Sequence, residues 1–422
     1  MTKWKHRWMI AAVGLAFSPW PAVAQEVPAR LTLPQCIEIS LARNPFWLSA
    51  EEDYQASLAR VRRAKEFRQP SLYYDSDLQP TPFNFGESAE TYVGVSQTIE
   101  FPGRRSLRGK IAASESREVL ADKDRLKLEI VFQVKEAFYS VLLALERLKY
   151  AVQDRDLARD FLEKAEAKHE AGDVAKLEVV RAGVEASKAA TAVKLAENDV
   201  LLAKVRLNYL LGRAKLDPLE VQGELVRASA PIDRDVLVAR AVQLRPEIAR
   251  VRAGLEKEER RKSEAMLSYL PDFDLGFANH RLAGEASTWD FTLSIPVPLF
   301  FWQPARGAIA EARASIRSLE RQSEDLANRI SLEVDEACYN ARTAADQIAL
   351  FEKEILTQAE DVYDLVLFSF QEGEIGGIEL IDARRSLLEA RKAYADALYN
   401  HSLTIAALER SVGGSIEGDG HD

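Results

Sequence analysis

Along most of this chain apolar residues recur every three or four positions, but at four places they switch to strict alternation. Asp272-Phe273-Asp274-Leu275-Gly276-Phe277-Ala278 sets Phe273, Leu275 and Phe277 on one side and Asp272, Asp274, Gly276 and Ala278 on the other. Trp289 to Ile295 alternates equally well. A weaker pair, Leu72 to Leu78 and Tyr92 to Phe101, has Tyr74 and Val95 on apolar faces and Asp75 and Asp77 on a polar one. A period of two means a strand with two unlike faces, so strands are predicted at about 70–79, 91–101, 271–280 and 288–299. Each is long enough to cross a bilayer when tilted. By periodicity alone they equally suit a soluble antiparallel sheet with one wet face.

The remaining pattern is helical. Thr32 to Asn44 carries a polar cap, a proline in its first turn and Leu33, Ile37 and Leu41 at helical spacing, which predicts a short leading helix. Further helices are predicted from Pro45 to about Arg68 and from Pro246 to about Ser268. Beyond the strands, Val131, Val134, Phe138, Val141, Leu145, Leu148 and Val152 form a coiled-coil seam. Val334, Ala337, Ala341, Ala344, Ile348, Phe351 and Ile355 form another. From about Arg105 to Ala171 nothing interrupts the helix, and at about 1.5 Å per residue the rod reaches on the order of 100 Å.

Each rod stops at a glycine flanked by acid, in Ala171-Gly172-Asp173 and in Glu372-Gly373-Glu374-Ile375-Gly376-Gly377. New helices follow, Leu177 to Leu210 and Ile378 to Val412, so each rod is one arm of a helical hairpin. A return helix of this length recrosses only about half the rod. The other half must pair elsewhere, for instance with another copy of the repeat.

This order of elements occurs twice. Glu136-Ala137-Phe138-Tyr139 returns as Glu336-Ala337-Cys338-Tyr339, and Asn44-Pro45 is answered by Arg245-Pro246. The fold class is mixed and mainly α, a duplicated strand-strand-long-hairpin unit. Its repeats span 25–230 and 231–415, with a short tail at 416–422.

Residues 1–24 read as a secretory signal, with Lys3, Lys5 and Arg7 before an apolar run and Ala22-Val23-Ala24 before Gln25. Its removal takes three basic residues and no acidic one, moving the formal charge from −10 to −13. Such a surface argues against nucleic acid as a partner. No later segment is apolar enough for a spanning helix, so a membrane role falls to strands or surface. There is no Walker loop, dinucleotide fingerprint, nucleophile elbow or His-Glu-x-x-His motif, hence no catalytic residue and no implied cofactor. Cys36 and Cys338 lack disulfide or metal spacing, and His169, His280, His401, His421 and Met266 make no ligand cluster. The chain itself is expected to hold no metal.

The chain resembles TolC-type outer-membrane efflux channels over essentially its whole mature length. The resemblance is carried by the signal, the two repeats, two strands per repeat and the Gly172 and Gly373 tips. It is also carried by Ser96-Gln97-Thr98-Ile99-Glu100-Phe101-Pro102-Gly103-Arg104-Arg105 leading into the rod. It is most similar to the branch serving heavy-metal cation exporters. The resemblance implies a homotrimer in the outer membrane, four strands per chain closing a 12-stranded β-barrel continuous with a periplasmic α-helical coiled-coil barrel. It also implies a periplasmic adaptor and an inner-membrane pump as partners, with outer-membrane lipid around the barrel. The alternatives are a duct for drugs or other organic cargo, and, in another class, a periplasmic coiled-coil adaptor or scaffold.

On that reading Asp173, Glu372 and Glu374 are expected to form a selectivity ring at the periplasmic tip, although acids beside a turn glycine are commonly just solvated. Gly172, Gly373, Gly376 and Gly377 are expected to admit the adaptor's helical tips. Asp75, Asp77, Asp272 and Asp274 are expected in the barrel lumen. Phe101, Phe300, Phe301 and Trp302 are expected as membrane-interface aromatics. Because the tips differ, the second, Glu372 to Gly377, is the expected inner, gate-forming hairpin.

Overall fold

The computed structural model describes residues 30–77, 89–227, 233–297 and 302–416, with no side-chain detail for 302–304. The expected signal and the Phe300-Phe301 aromatics lie outside the described residues, as does the side chain of Trp302.

The chain runs α1 (Leu33–Arg43), α2 (Pro45–Ala64), β1 (Ser71–Asp77), β2 (Glu90–Ile99), α3 (Arg104–Glu170) and α4 (Lys176–Leu210). The second half follows with α5 (Arg234–Leu244), α6 (Pro246–Leu267), β3 (Phe273–Leu282), β4 (Thr288–Ser294), α7 (Trp302–Leu350), α8 (Leu356–Glu372) and α9 (Gly377–Val412). A single π-helical turn, Phe351–Ile355, joins α7 to α8. α5 is the counterpart of α1, and periodicity did not predict it. It is started by Asp233, whose carboxylate accepts from the amides of Asp235 and Val236.

The four strands form one antiparallel sheet in the order β1-β2-β3-β4. The register gathers the alternating residues into rows: Leu72, Val95, Phe277 and Phe291 lie abreast, and so do Tyr74, Val93, Asn279 and Trp289. This face is exposed, with Leu72 at 87% and Phe291 at 69%. The opposite face carries Tyr73, Gly94, Ala278 and Asp290 in one row and Ser71, Ser96, Gly276 and Thr292 in the next. A side chain at Gly94 would meet the Tyr73 ring at 2.7 Å, so glycine is what lets that ring cross β2. β4 ends at Ser294, earlier than the expected 299. Pro296 has no N–H to give a ladder, and residues 298–299 lie outside the described residues.

α3 is one helix of 67 residues. Its C-terminal half is covered by α4, and its N-terminal half packs against α2 and α6 of the same chain. The half-rod left over by the hairpin is therefore filled within the chain, by α2 of its own repeat and by α6 of the other copy of the repeat, as expected. The joints are polar: Ser57 to Ser116 at 2.8 Å, and Lys257 to Glu118 at 2.7 Å. Gly254 on α6 fits between Glu118 and Leu319, linking the two rods.

The repeats are built alike at their inner ends. Asn44 caps α2 through its side-chain oxygen and donates Nδ2 to Leu210 O, the end of α4, at 2.9 Å. Arg245 takes the equivalent place, donating Nη1 to Ser411 O near the end of α9 at 3.0 Å. Around the first joint Cys36, Val134, Phe138, Val141 and Leu207 form the largest apolar core, and Val334, Cys338, Ala341 and Leu408 form its counterpart. Both cysteines are free and buried. Burial pushes the Cys36 thiol up to about 12. The second seam is buried at Val334, Ala341, Ala344 and Ile348, while Phe351 and Ile355, in the π-turn, are half-buried; in the first seam Val134, Phe138 and Val141 are buried and Leu145, Leu148 and Val152 are half-buried.

Candidate functional site

The two ends of the molecule carry the candidate chemistry. At the far end α3 and α8 stop at Gly172 and Gly373, both left-handed, with φ of 88° and 82°. Asp173 N donates to Lys168 O and Glu374 N to Ser369 O, at 2.9 and 3.0 Å, closing the same C-terminal cap twice. Asp173, Glu372 and Glu374 all point into solvent at these tips.

The four glycines do not behave alike. A Cβ at Gly172 or Gly373 would meet nothing within 4 Å, and one at Gly376 only Glu379. These three remain open to another protein. Gly377 is instead buried, and a Cβ there would lie 2.8 Å from the Phe161 ring and 2.9 Å from Glu178 Oε2. It is thus spent on contact with the first hairpin of its own chain, and the expected opening to an adaptor is corrected at this position.

That contact belongs to a cluster joining both hairpins just inside the tips. Phe161 and Ala165 of α3, Ala182 of α4, Tyr363 and Phe370 of α8, and Leu380 and Leu387 of α9 pack together. Phe161 meets Phe370 edge-on at 5.5 Å. Lys168 Nζ donates to Phe370 O at 2.8 Å and sits over the Phe370 ring. His169 makes a ring-nitrogen hydrogen bond with Val174 O at 2.9 Å, bracing the first turn.

Deeper along the rods a buried ion network ties three helices. Arg384 of α9 donates Nη1 to Asp154 Oδ1 of α3 at 2.5 Å and Nη2 to Glu185 Oε2 of α4 at 3.1 Å. Their side chains are 8%, 10% and 13% exposed. Burial pushes the Asp154 carboxyl up, and the Arg384 charge pulls it back. This network was absent from the sequence reading. A signal existed: Asp154 falls in phase with the buried Ala151, Ala158, Phe161 and Ala165, and Arg384 with Leu380 and Leu387. A charge in a seam is one that needs a partner.

At the sheet end, Asp75, Asp77 and Asp274 lie on the polar face, and Asp274 accepts from Thr98 Oγ1 at 2.6 Å. Asp272 does not join them. It precedes β3 and binds the start of α3, accepting from Phe101 N at 2.9 Å and Arg104 Nη1 at 2.7 Å. The expected lumen residue is thus a clamp at the base of the sheet, and Phe101 is held beside it. The same polar face carries a group that sequence reasoning passed over. His280 stacks on Tyr92 at 4.3 Å and approaches Glu90 at 2.8 Å. Among the described residues no three His, Cys, Asp or Glu are arranged to hold a metal.

Comparison with known proteins agrees with this architecture. The family model described as outer membrane efflux protein matches twice, at residues 36–213 and 237–414. Over 404 residues the chain is 25% identical to the cobalt-zinc-cadmium resistance protein CzcC of Cupriavidus metallidurans, covering 93% of this chain and 92% of that protein. The outer-membrane channel OprN superposes with a TM-score of 0.76 at 19% identity, over 91% of this chain and 90% of OprN. CusC, whose structures address transmembrane channel formation, gives 0.75 at 18% identity, over 91% and 92%.

Proposed function

Since this chain belongs to the outer membrane efflux protein family, we propose that it is the exit duct of a tripartite efflux system whose cargo is heavy-metal cations. Membership makes it an outer-membrane channel reaching into the periplasm, and not an enzyme. It also removes the adaptor alternative. The duct is passive, joined through a periplasmic adaptor to an energised inner-membrane pump.

The observation that carries the assembly is the sheet. Among the described residues β1 and β4 each pair on one side only. In lipid an open edge leaves backbone groups without partners, so copies must join edge to edge until the sheet closes. Three copies, the number implied by the resemblance, give twelve strands. Exposed apolar stripes fit the same assembly: Leu177, Val180, Val184 and Leu195 on α4, and Val362, Leu365 and Phe368 on α8. In such a trimer the exposed row from Leu72 to Phe291 faces lipid, and Asp75, Asp77 and Asp274 face the lumen.

Cargo is argued from the near-full-length similarity to a protein named for cobalt, zinc and cadmium resistance. The tip acids suit it, because symmetry multiplies Asp173, Glu372 and Glu374 into a ring of carboxylates. The contacts of Lys168 with Phe370 and of Arg384 with Asp154 and Glu185 hold the second hairpin against the first. Opening then means sliding α8 and α9 past α3 and α4, a shear movement biased by the adaptor.

The test is a deletion strain complemented by this chain and grown against cobalt, zinc and cadmium salts and against a panel of organic drugs. Loss of metal tolerance alone, restored by the gene, is the expected result. Loss of drug tolerance alone would overturn the cargo and leave the duct standing.

A further inference from the structure

Where β2 passes into α3, beside the end of α2, a cleft of about 930 Å³ opens on the outside of the sheet. Its wall includes Lys65, Arg68, Arg105 and Lys110, with Glu100 as the one lining carboxylate. Glu100 is already committed, to Arg108 Nη1 at 2.5 Å and Arg68 Nε at 3.1 Å. Among the described residues no carboxylate pairs with Lys65, Arg105 or Lys110. A chain with a formal charge of −10 thus concentrates uncompensated cations at one junction.

The apolar part of the wall is placed just as specifically. Ile99, the last residue of β2, is 43% exposed in line with Val95 and Val93 on the apolar face. Phe67 is 75% exposed, and the Arg105 guanidinium carbon sits 3.7 Å over the centre of its ring. One rim therefore continues the face that meets hydrocarbon, and the other presents fixed positive charge. Because the helices are periplasmic, this junction stands at the periplasm-facing leaflet.

We propose that this cleft is a binding site for an anionic phospholipid of that leaflet. The phosphodiester is held among Lys65, Arg105 and Lys110, and the acyl chains run up past Ile99 and Phe67 along the outer face of β2. Phosphate alone would satisfy the charges, but only a lipid also covers the apolar rim. A single chain supplies every wall residue, so the site is independent of the cargo. A bound lipid would fix the tilt of the sheet against the rods, where Arg104 and Asp272 already clamp β3 to α3.

The experiment is native mass spectrometry of the full chain, purified in detergent and offered phosphatidylglycerol or phosphatidylcholine with the same acyl chains. Inorganic phosphate and glycerol 3-phosphate serve as soluble competitors. Retention of phosphatidylglycerol over phosphatidylcholine by about tenfold is expected. Lys65→Gln/Arg105→Gln/Lys110→Gln should abolish that preference, and Arg105→Lys/Lys110→Arg should keep it. Should the triple variant lose helicity by circular dichroism, Arg105→Gln alone is read instead, with a partial loss expected. Equal retention of the two lipids, or an unchanged preference in the charge-removing variant, would overturn the site. Displacement by glycerol 3-phosphate at equal concentration would overturn the lipid as its occupant.

Discussion

Arg384 Nη1 lies 2.5 Å from Asp154 Oδ1, and both side chains are about nine-tenths enclosed where α9 crosses α3. The pair is 230 residues apart in sequence and joins the second hairpin to the first. With Glu185 it leaves one cation between two carboxylates, so the cation is the member the network cannot lose.

Arg384→Met should therefore cost about 3–5 kcal/mol locally, the usual penalty for stranding buried charge. The hairpins should loosen at the tips, seen as faster hydrogen exchange around Asp154 and a larger single-channel conductance in planar bilayers. Arg384→Met combined with Asp154→Asn and Glu185→Gln should recover much of the protection. A single variant indistinguishable from the parent in both measurements would contradict the latch.

Gly377 and Gly172 make a matched pair of tests. Gly377→Ala places a methyl 2.8 Å from the Phe161 ring, so the hairpins must separate, and protease cutting near the tips should accelerate. Gly172→Ala meets no neighbour and carries only the strain of φ 88°, about 1–2 kcal/mol confined to the turn. Conductance should change in the first and stay near the parent value in the second.

Replacing Asp173, Glu372 and Glu374 together by Asn and Gln removes the carboxylates while keeping shape. The cation-over-anion permeability ratio in planar bilayers should fall toward unity if these acids line the constriction. An unchanged ratio would assign them to ordinary solvated turns.

His401, 2% exposed on α9, gives a pH dependence. Burial pushes its imidazole below the usual value of 6.5, and the Arg227 charge adds to the effect. The unfolded chain then binds the proton more readily, so the stability contributed is full above 6.5 and is lost as pH falls through the folded value. The melting midpoint should drop on acidification from pH 7.5 to 5, and His401→Gln should flatten that slope. Parallel slopes in the two proteins would exclude His401 as the cause.

Much of the architecture was legible because it rests on local rules. The two alternating strands of the second half, the rod from Arg104 and the stops at Gly172 and Gly373 each follow from a period or a cap within a few residues. The polar faces of Asp75, Asp77 and Asp274 were readable for the same reason. Asp272 was misplaced because alternation continues one residue beyond the ladder, and only the arrival of Arg104 and Phe101 N–H shows where the strand begins.

The sequence by itself determined the elements other than α5, their duplication and the apolar face of each strand and rod. The tertiary structure decided which neighbour fills each face: α2 and α6 against the upper half of α3, Phe161 against Gly377, Arg384 between Asp154 and Glu185. It also gathered Lys65, Arg105 and Lys110 around one cleft from two separate helices. The physical reason is that periodicity reports how a segment meets water or apolar surroundings, whereas partners are chosen by shape and charge across long chain separations, which no local pattern encodes.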